Sequence, residues 1–206
     1  VINPRPALAP SLDSAFAARP DERGTVHVDK YLLGAEMEVD AICDGETVVI
    51  PGVMEHVERA GVHSGDSMAV YPAPASPEVL AQIVEDTTRM ALALGLVGLL
   101  NVQYVVHRGR VHVIEVNPRS SRTVPFLSKV TGVPMVELAV AVMGGKKLRD
   151  LGYSDGLVPS RPLIAVKAPV FSMVKLIAVD SVLGPEMKST GEVMGIDVDL
   201  SAALEK

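Results

Sequence analysis

The sequence predicts an α/β fold made mostly of antiparallel strands with helices on one face, and three stretches carry that reading. Val102–His107 and Val111–Val116 are alternating, β-branched runs around Arg108-Gly109-Arg110, the pattern of a hairpin whose glycine takes the positive φ of a three-residue loop. Ser76–Leu94 is a punctuated helix, with Ser76 as N-cap, Pro77 at the first helical position and Gly95 after the last turn. Glu36–Ile42 alternates like a strand, and Asp44-Gly45 then signals a hairpin with Thr47–Ile50 as its return.

Composition sets the class. The chain has 206 residues, 48% hydrophobic and 21% charged, which is enough for one folded domain with a sizeable core, or a domain plus an appendage. Aromatic content is 3% with no Trp, so the core must be aliphatic and no base-stacking platform is available. The formal charge of −6 disfavours a duplex-binding surface, so no nucleic-acid partner is expected. No apolar run reaches the length of a membrane span, so no membrane partner is expected either. Cys43 is the single cysteine, which fits a buried structural thiol in a reducing, cytoplasmic setting. Because the chain starts at Val1 rather than Met, we expect it to begin inside a longer polypeptide.

In chain order, Val1–Arg23 reads as Pro- and Ala-rich loop with a short helix near Leu12–Ala18. Thr25–Leu32 reads as a strand, separated by a break at Gly34 from Glu36–Ile42. His56–Ser67 is a polar loop turned by Gly61 and Gly65. The Ser76–Leu94 helix buries a stripe of Leu80, Ile83, Val84, Thr87, Ala91 and Leu94 against the sheet. Short helices follow over Val124–Val130 and Pro134–Met143, the second closed by Gly144-Gly145. Asp155–Arg161 is a loop, Leu163–Val170 and Lys175–Val179 are strands, and Gly184-Pro185 opens a turn.

The hairpin also carries the chemistry. Its expected register sets Val105 opposite Val113 and Gln103 opposite Glu115. The strand period then puts Gln103, Glu115 and Asn117 on one face. Val102, Val106, Ile114 and Val116 take the other, which suits a core. One carboxylate and two amide oxygens make an all-oxygen site for a hard cation, Mg²⁺ by preference. Arg119 and Arg122 follow at once, and guanidinium groups are what a metal-bound phosphate next requires. Periodicity alone leaves open a plain surface hairpin with a polar outer face.

The run EVNPRSSRTVPFLSKVTGVP resembles the end of an ATP-grasp fold, and specifically that of carbamoyl phosphate synthetase large subunits. MEHVERAGVHSGDS (Met54–Ser67), LGPEMKSTGEVMG (Leu183–Gly195), VDAICDG and NVQYVV agree, so the likeness covers about Val28 to Ile196. The HVERAGVHSGDS and SSRTVPFLSK wording is more similar to the second half of that subunit, which phosphorylates carbamate, than to the first, which phosphorylates bicarbonate. The resemblance implies the C-terminal lobe of an ATP-grasp domain over residues 25–206, with residues 1–24 a poorly matched remnant of the first nucleotide lobe. It implies ATP and Mg²⁺ (or Mn²⁺) as cofactors and phosphoryl transfer to carbamate. Tyr31 and Leu32 would offer backbone groups to adenine, Glu36 would bind ribose hydroxyls, and Gly61, Val62, His63 and Ser64 would line the nucleotide pocket. Gln103 and Glu115 would contact nucleotide through metal, with Glu115 bridging two ions, Gln103 on one and Asn117 on the other. Arg119 and Arg122 would bind the acceptor and the transferring phosphoryl group. The implied partners are a small glutamine amidotransferase subunit and the remaining domains of the large subunit, feeding pyrimidine and arginine synthesis.

Two departures stand out. The family is one residue longer between DKYL and EVDA. Arg5-Pro6 is followed by ALAPS rather than a glycine-rich phosphate loop, so a folded protein with weak Mg-ATP affinity and little turnover is expected of the 206-residue chain alone. Another ATP-grasp carboxylate ligase, or a non-catalytic fragment that binds nucleotide or scaffolds, are the alternatives.

Overall fold

A computed structural model of the chain describes residues 8–17, 28–172 and 182–206. Two compact units emerge, Val1–Leu32 and Leu33–Lys206. In the first, α1 (Leu8–Ala17) has no buried residue; it starts four residues ahead of the expected Leu12–Ala18. Val28–Leu32 is not a strand, because alternation supplies a face but not a hydrogen-bonding partner. Thr25–His27 and the expected strand Lys175–Val179 lie outside the described residues.

The second unit is laid out around β1 (Ala35–Asp44), buried along almost its whole length. β1 turns at Asp44-Gly45 into β2 (Val48–His56), longer than the expected return strand. Gly45 takes φ 87° there, while the Asp44 carboxylate accepts from the Glu46 and Thr47 N–H groups at 3.0 and 2.7 Å. There follow β3 (Ala69–Tyr71), α2 (Pro77–Ala93), β4 (Val97–His107), β5 (Arg110–Asn117), α3 (Thr123–Thr131) and α4 (Met135–Met143). The chain ends with β6 (Gly156–Leu157), β7 (Ile164–Val170), β8 (Gly191–Asp197) and α5 (Leu200–Leu204). The sheet runs β5-β4-β1-β2-β3-β7-β8 with every pair antiparallel, and β6 adds a short parallel pairing to β2 inside the expected Asp155–Arg161 loop.

Helices cover both faces of the sheet, not one as the sequence suggests. On one side Met37, Val39, Ala41 and Cys43 of β1 pack with Ile83 and Ala91 of α2. On the other, Ile42 and Val49 pack with Val124, Phe126 and Leu127 of α3 and with Met135, Leu138 and Val142 of α4. Those helices are short and strongly apolar, so their period does not announce which face they seek. Ser76 caps α2 through the Val79 N–H at 3.4 Å, as its sequence requires.

The hairpin of β4 and β5 departs from expectation in detail. Its turn has two residues, Arg108 at φ 52° and Gly109 at φ 72°, with His107 opposite Arg110. Two consecutive positive φ values make it a type I′ turn, whose twist matches that of the strands. Tyr104 rather than Val105 therefore faces Val113, and Val105 faces His112. A bulge at Ile114 then returns the pairing to Gln103 opposite Glu115. Ile114, expected in the core, is exposed, whereas Val102 is fully buried and Val106 and Val116 pack beside it.

Gly52, opposite Asp40, is a packing requirement: a Cβ there would lie 2.3 Å from Cε2 of Tyr71, itself a fully buried ring. Gly52→Ala is expected to lower stability by about 1–3 kcal/mol, read as a fall in the urea midpoint.

Candidate functional site

The working edge of the sheet is built by strand register. Glu38 pairs with Gln103 and Asp40 with Asn101 across β1 and β4, while Asn101 pairs with Asn117 and Gln103 with Glu115 across β4 and β5. Equal parity on neighbouring strands gives these residues a common face. Glu38, Asn101, Gln103 and Glu115 open onto a cavity of about 250 Å³, lined also by Arg122 and Lys167 among others.

Among the described residues, the side-chain amide oxygens of Gln103 and Asn117 accept no hydrogen bond. The Gln103 amide nitrogen donates to Ser64 Oγ at 3.1 Å, and the Asn117 amide nitrogen donates to Glu115 Oε1 at 2.9 Å and Asn101 Oδ1 at 3.4 Å. With the nitrogens so engaged, the amide oxygens are left for a cation, beside an exposed Glu115 carboxylate. One carboxylate and two amide oxygens fit a hard divalent ion that completes its shell with phosphate oxygens and water.

Asn101, which sequence reasoning passed over, sets this orientation. Its amide nitrogen donates to Glu38 Oε1 at 2.8 Å and Asp40 Oδ1 at 3.1 Å, so its oxygen must face Asn117. Beneath it lies a buried charge network. His56 Nε2 meets Glu38 Oε2 at 2.8 Å, and Nδ1 lies 3.3 Å from Glu36 Oε1. Burial works to lower the His56 pKa, but the neighbouring Glu36 carboxylate, the hydrogen bond to Glu38 and the charges of both outweigh it, raising it to about 9. For Glu38, burial is outweighed by His56, Asn101 and Lys167, and its pKa falls below the ordinary value. Asp40 goes the other way, raised to about 7 by burial and by the charge of Glu38, despite hydrogen bonds from Ser121, Thr123 and Asn101. Ser121 Oγ donates to Asp40 at 2.6 Å and Thr123 Oγ1 donates to its other oxygen, which ties the loop bearing Arg119 and Arg122 to β1.

Lys167 of β7 is also buried at the cavity wall and donates to the Ser64 carbonyl at 3.3 Å. Desolvation lowers its pKa, partly offset by Glu38. Neither Lys167 nor the Glu38–Asp40 pair carries a local sequence signal.

The expected site residues are therefore unevenly distributed. His63, Ser64, Gln103, Glu115, Arg119 and Arg122 line one cavity, with Asn117 bonded to Glu115 at its edge. Glu36 is buried against His56 and does not line that cavity, nor do Gly61, at φ 93°, or the buried Val62. Tyr31 and Leu32 belong to the first unit.

The open antiparallel sheet with helices packed on it has the ATP-grasp fold. Several solved structures share the fold. The biotin carboxylase domain of a single-chain bacterial carboxylase aligns at TM-score 0.63 and 20% identity over 81% of this chain and 38% of that one. The biotin carboxylase domain of Hydrogenobacter thermophilus 2-oxoglutarate carboxylase, solved with MgADP, ADP and bicarbonate, aligns at 0.65 and 17% over 80% and 36%. An ADP complex of N5-carboxyaminoimidazole ribonucleotide synthetase aligns at 0.63 and 14% over 85% and 48%. At these identities the likeness establishes the fold alone.

The sequence is more particular. Residues 6–151 match the family described as carbamoyl-phosphate synthase L chain, ATP binding domain, and the chain belongs to that family. It is 63% identical over 182 residues to the carbamoyl phosphate synthase large chain of Thermomicrobium roseum, covering 88% of this chain and 17% of that protein.

The buried groups predict how stability varies with pH. Asp40, at about 7 against an ordinary 3.8, holds a proton that the unfolded chain releases, so its contribution is full below about 3.8 and is lost as pH rises through about 7. His56, at about 9 against 6.5, contributes fully below about 6.5 and loses that as pH rises through about 9. Urea midpoints are therefore expected to fall steadily from about pH 5 to 9. Asp40→Asn should flatten the lower part of that decline and His56→Gln the upper part.

Proposed function

We propose that this domain transfers the γ-phosphoryl group of ATP to carbamate, giving carbamoyl phosphate and ADP, as the second half of a carbamoyl phosphate synthase large chain. The observation that carries the reading is the Gln103–Glu115–Asn117 oxygen cluster beside Arg119 and Arg122 at one cavity. The wording of His56–Ser67 and Ser120–Lys129 favours the carbamate half over the bicarbonate half.

The chemistry asks little of the protein beyond alignment and charge. A carbamate oxygen attacks the γ-phosphorus, its O–P bond forms as the bond to the ADP oxygen breaks, and no enzyme nucleophile intervenes. Gln103, Glu115 and Asn117 would hold a divalent metal ion, which would neutralise phosphate charge. Arg119 and Arg122 hold the acceptor and stabilise charge that develops on the moving phosphoryl group. His63 and Ser64 form the wall on the nucleotide side. Ser64 also fixes the Gln103 amide, and Glu36, though buried, remains the carboxylate proposed for the ribose.

Since the chain spans about one sixth of the Thermomicrobium large chain, the wider assignment belongs to the same proposal. Residues 25–206 serve as the C-terminal lobe, and residues 1–24 as a remnant of the first nucleotide lobe. Ammonia comes from a small glutamine amidotransferase subunit, and the assembly works in the cytoplasm.

The test uses a complete large chain carrying this domain. Arg122→Ala is expected to slow ATP formation from carbamoyl phosphate and ADP by about a hundredfold, the scale of losing one preorganised charge-stabilising donor. Bicarbonate-dependent ATP hydrolysis should stay within about twofold. Collapse of the bicarbonate reaction instead would assign the domain to the first half. No change in either would make it a binding or scaffolding element.

A further inference from the structure

The turn Ser64–Asp66 and the stretch leading into β8 are stitched together across more than a hundred residues of sequence. The His63 N–H donates to the Gly184 carbonyl at 2.8 Å. The Lys188 and Ser189 N–H groups donate to the two oxygens of Asp66 at 2.8 and 2.7 Å. The Ser189 hydroxyl donates to the Gly65 carbonyl at 2.7 Å. Asp66 is fully buried, and although burial works to raise its pKa, these donors hold it below the ordinary value, so the clasp is anchored by a carboxylate. The fit is close: a Cβ on Gly65 would lie 2.8 Å from Met187 Sδ.

What the clasp presents to the cavity is an acceptor for Arg122. A serine hydroxyl has one proton, and Ser189 spends it on Gly65, which leaves its oxygen to accept. Arg122 Nη1 donates to that oxygen at 3.1 Å and lies 3.3 Å from Met187 Sδ. Among the described residues the Arg122 hydrogen bonds run from Nη1 alone, so Nη2 and Nε remain for an anionic ligand. Arg122 sits at the N-cap of α3 without a side-chain cap bond, so its own helix does not hold the guanidinium.

We propose that Ser189, locked by Asp66, is a positioning residue that aims the Arg122 guanidinium at the transferring phosphoryl group. This rests on the function proposed above. A long, flexible side chain held at one nitrogen keeps fewer rotamers, so more of its charge is placed before the reaction begins.

The experiment is a double-mutant cycle in a complete large chain, using whichever phosphoryl transfer the unmodified chain catalyses. A bicarbonate-dependent reaction would thus overturn the function while leaving the cycle readable. Ser189→Ala is expected to lower kcat about tenfold, the scale of one hydrogen bond to a charged group, with KM for ATP within about twofold. On an Arg122→Ala background the same change should cost less than about twofold, because its target is gone. Ser189→Thr, which keeps the hydroxyl, should retain the rate, and Ser189→Val, of the same shape without it, should not. Additive losses, a KM that rises in step with the fall in kcat, or equal rates for the Thr and Val variants would each overturn the proposal.

Discussion

Two carboxylates buried on the central strand, Glu38 and Asp40, are the constraint on which the rest of the site depends. Carboxylates without solvent are costly unless paired or protonated, and β1 resolves the two differently. Glu38 keeps its charge beside His56, Asn101 and Lys167, whereas Asp40, held near that charge, takes up a proton more readily. The pair then acts as a fixed acceptor surface beneath the sheet edge. Asn101 is bound to both, so its amide can point only one way, and that direction is passed to Asn117 and its neighbour Glu115. The side chains proposed to hold metal and phosphate are thereby oriented from below by a hydrogen-bonded carboxylate and amide layer.

The same economy appears on the opposite wall. The Ser64–Asp66 turn receives Lys167 at its first carbonyl, Gln103 at its first hydroxyl and the segment before β8 at its last carboxylate. A turn of three residues has little rigidity of its own. Fastened from three directions, it becomes a reference point for both the Gln103 amide and, through Ser189, the Arg122 guanidinium. Loops that carry function commonly draw their precision from the scaffold to which they are tied.

The fold serves this placement. β1 sends aliphatic side chains to α2 on one face, and on the other Glu38 lines the cavity while Ile42 joins the core under α3 and α4. That division lets one strand serve as both core and site floor. The bulge at Ile114 matters for the same reason. It absorbs the offset left by the tight Arg108-Gly109 turn, so that Gln103 and Glu115 still meet. Without it, the pairing fixed by the turn would carry Glu115 away from Gln103.

The sequence by itself determined the ends of α2, the turn between β1 and β2, and the two strands of the β4–β5 hairpin. Serine, proline and glycine at the ends of α2, Asp44-Gly45 between β1 and β2, and alternation through Val102–Val116 are chemical instructions read within a few residues. Glu115 and Asn117 share a face by the period of two, Arg119 and Arg122 follow directly in sequence, and the family wording added His63 and Ser64. Gln103, by contrast, meets Glu115 only because the bulge at Ile114 restores the register. Only the tertiary structure decided which groups hold those residues in place. Asn101 reads as one polar residue in an apolar strand, Lys167 as one charge in another, and Asp66 and Ser189 as ordinary loop residues. Their meaning comes from partners 61 to 124 positions away along the chain, brought near by the β1–β4 register and by the return of β7 and β8 to the sheet. Local periodicity carries no information about such separations. The second layer of helices was illegible for a related reason. A short helix apolar on most sides does not say which face of a sheet it will cover until the other faces have been filled.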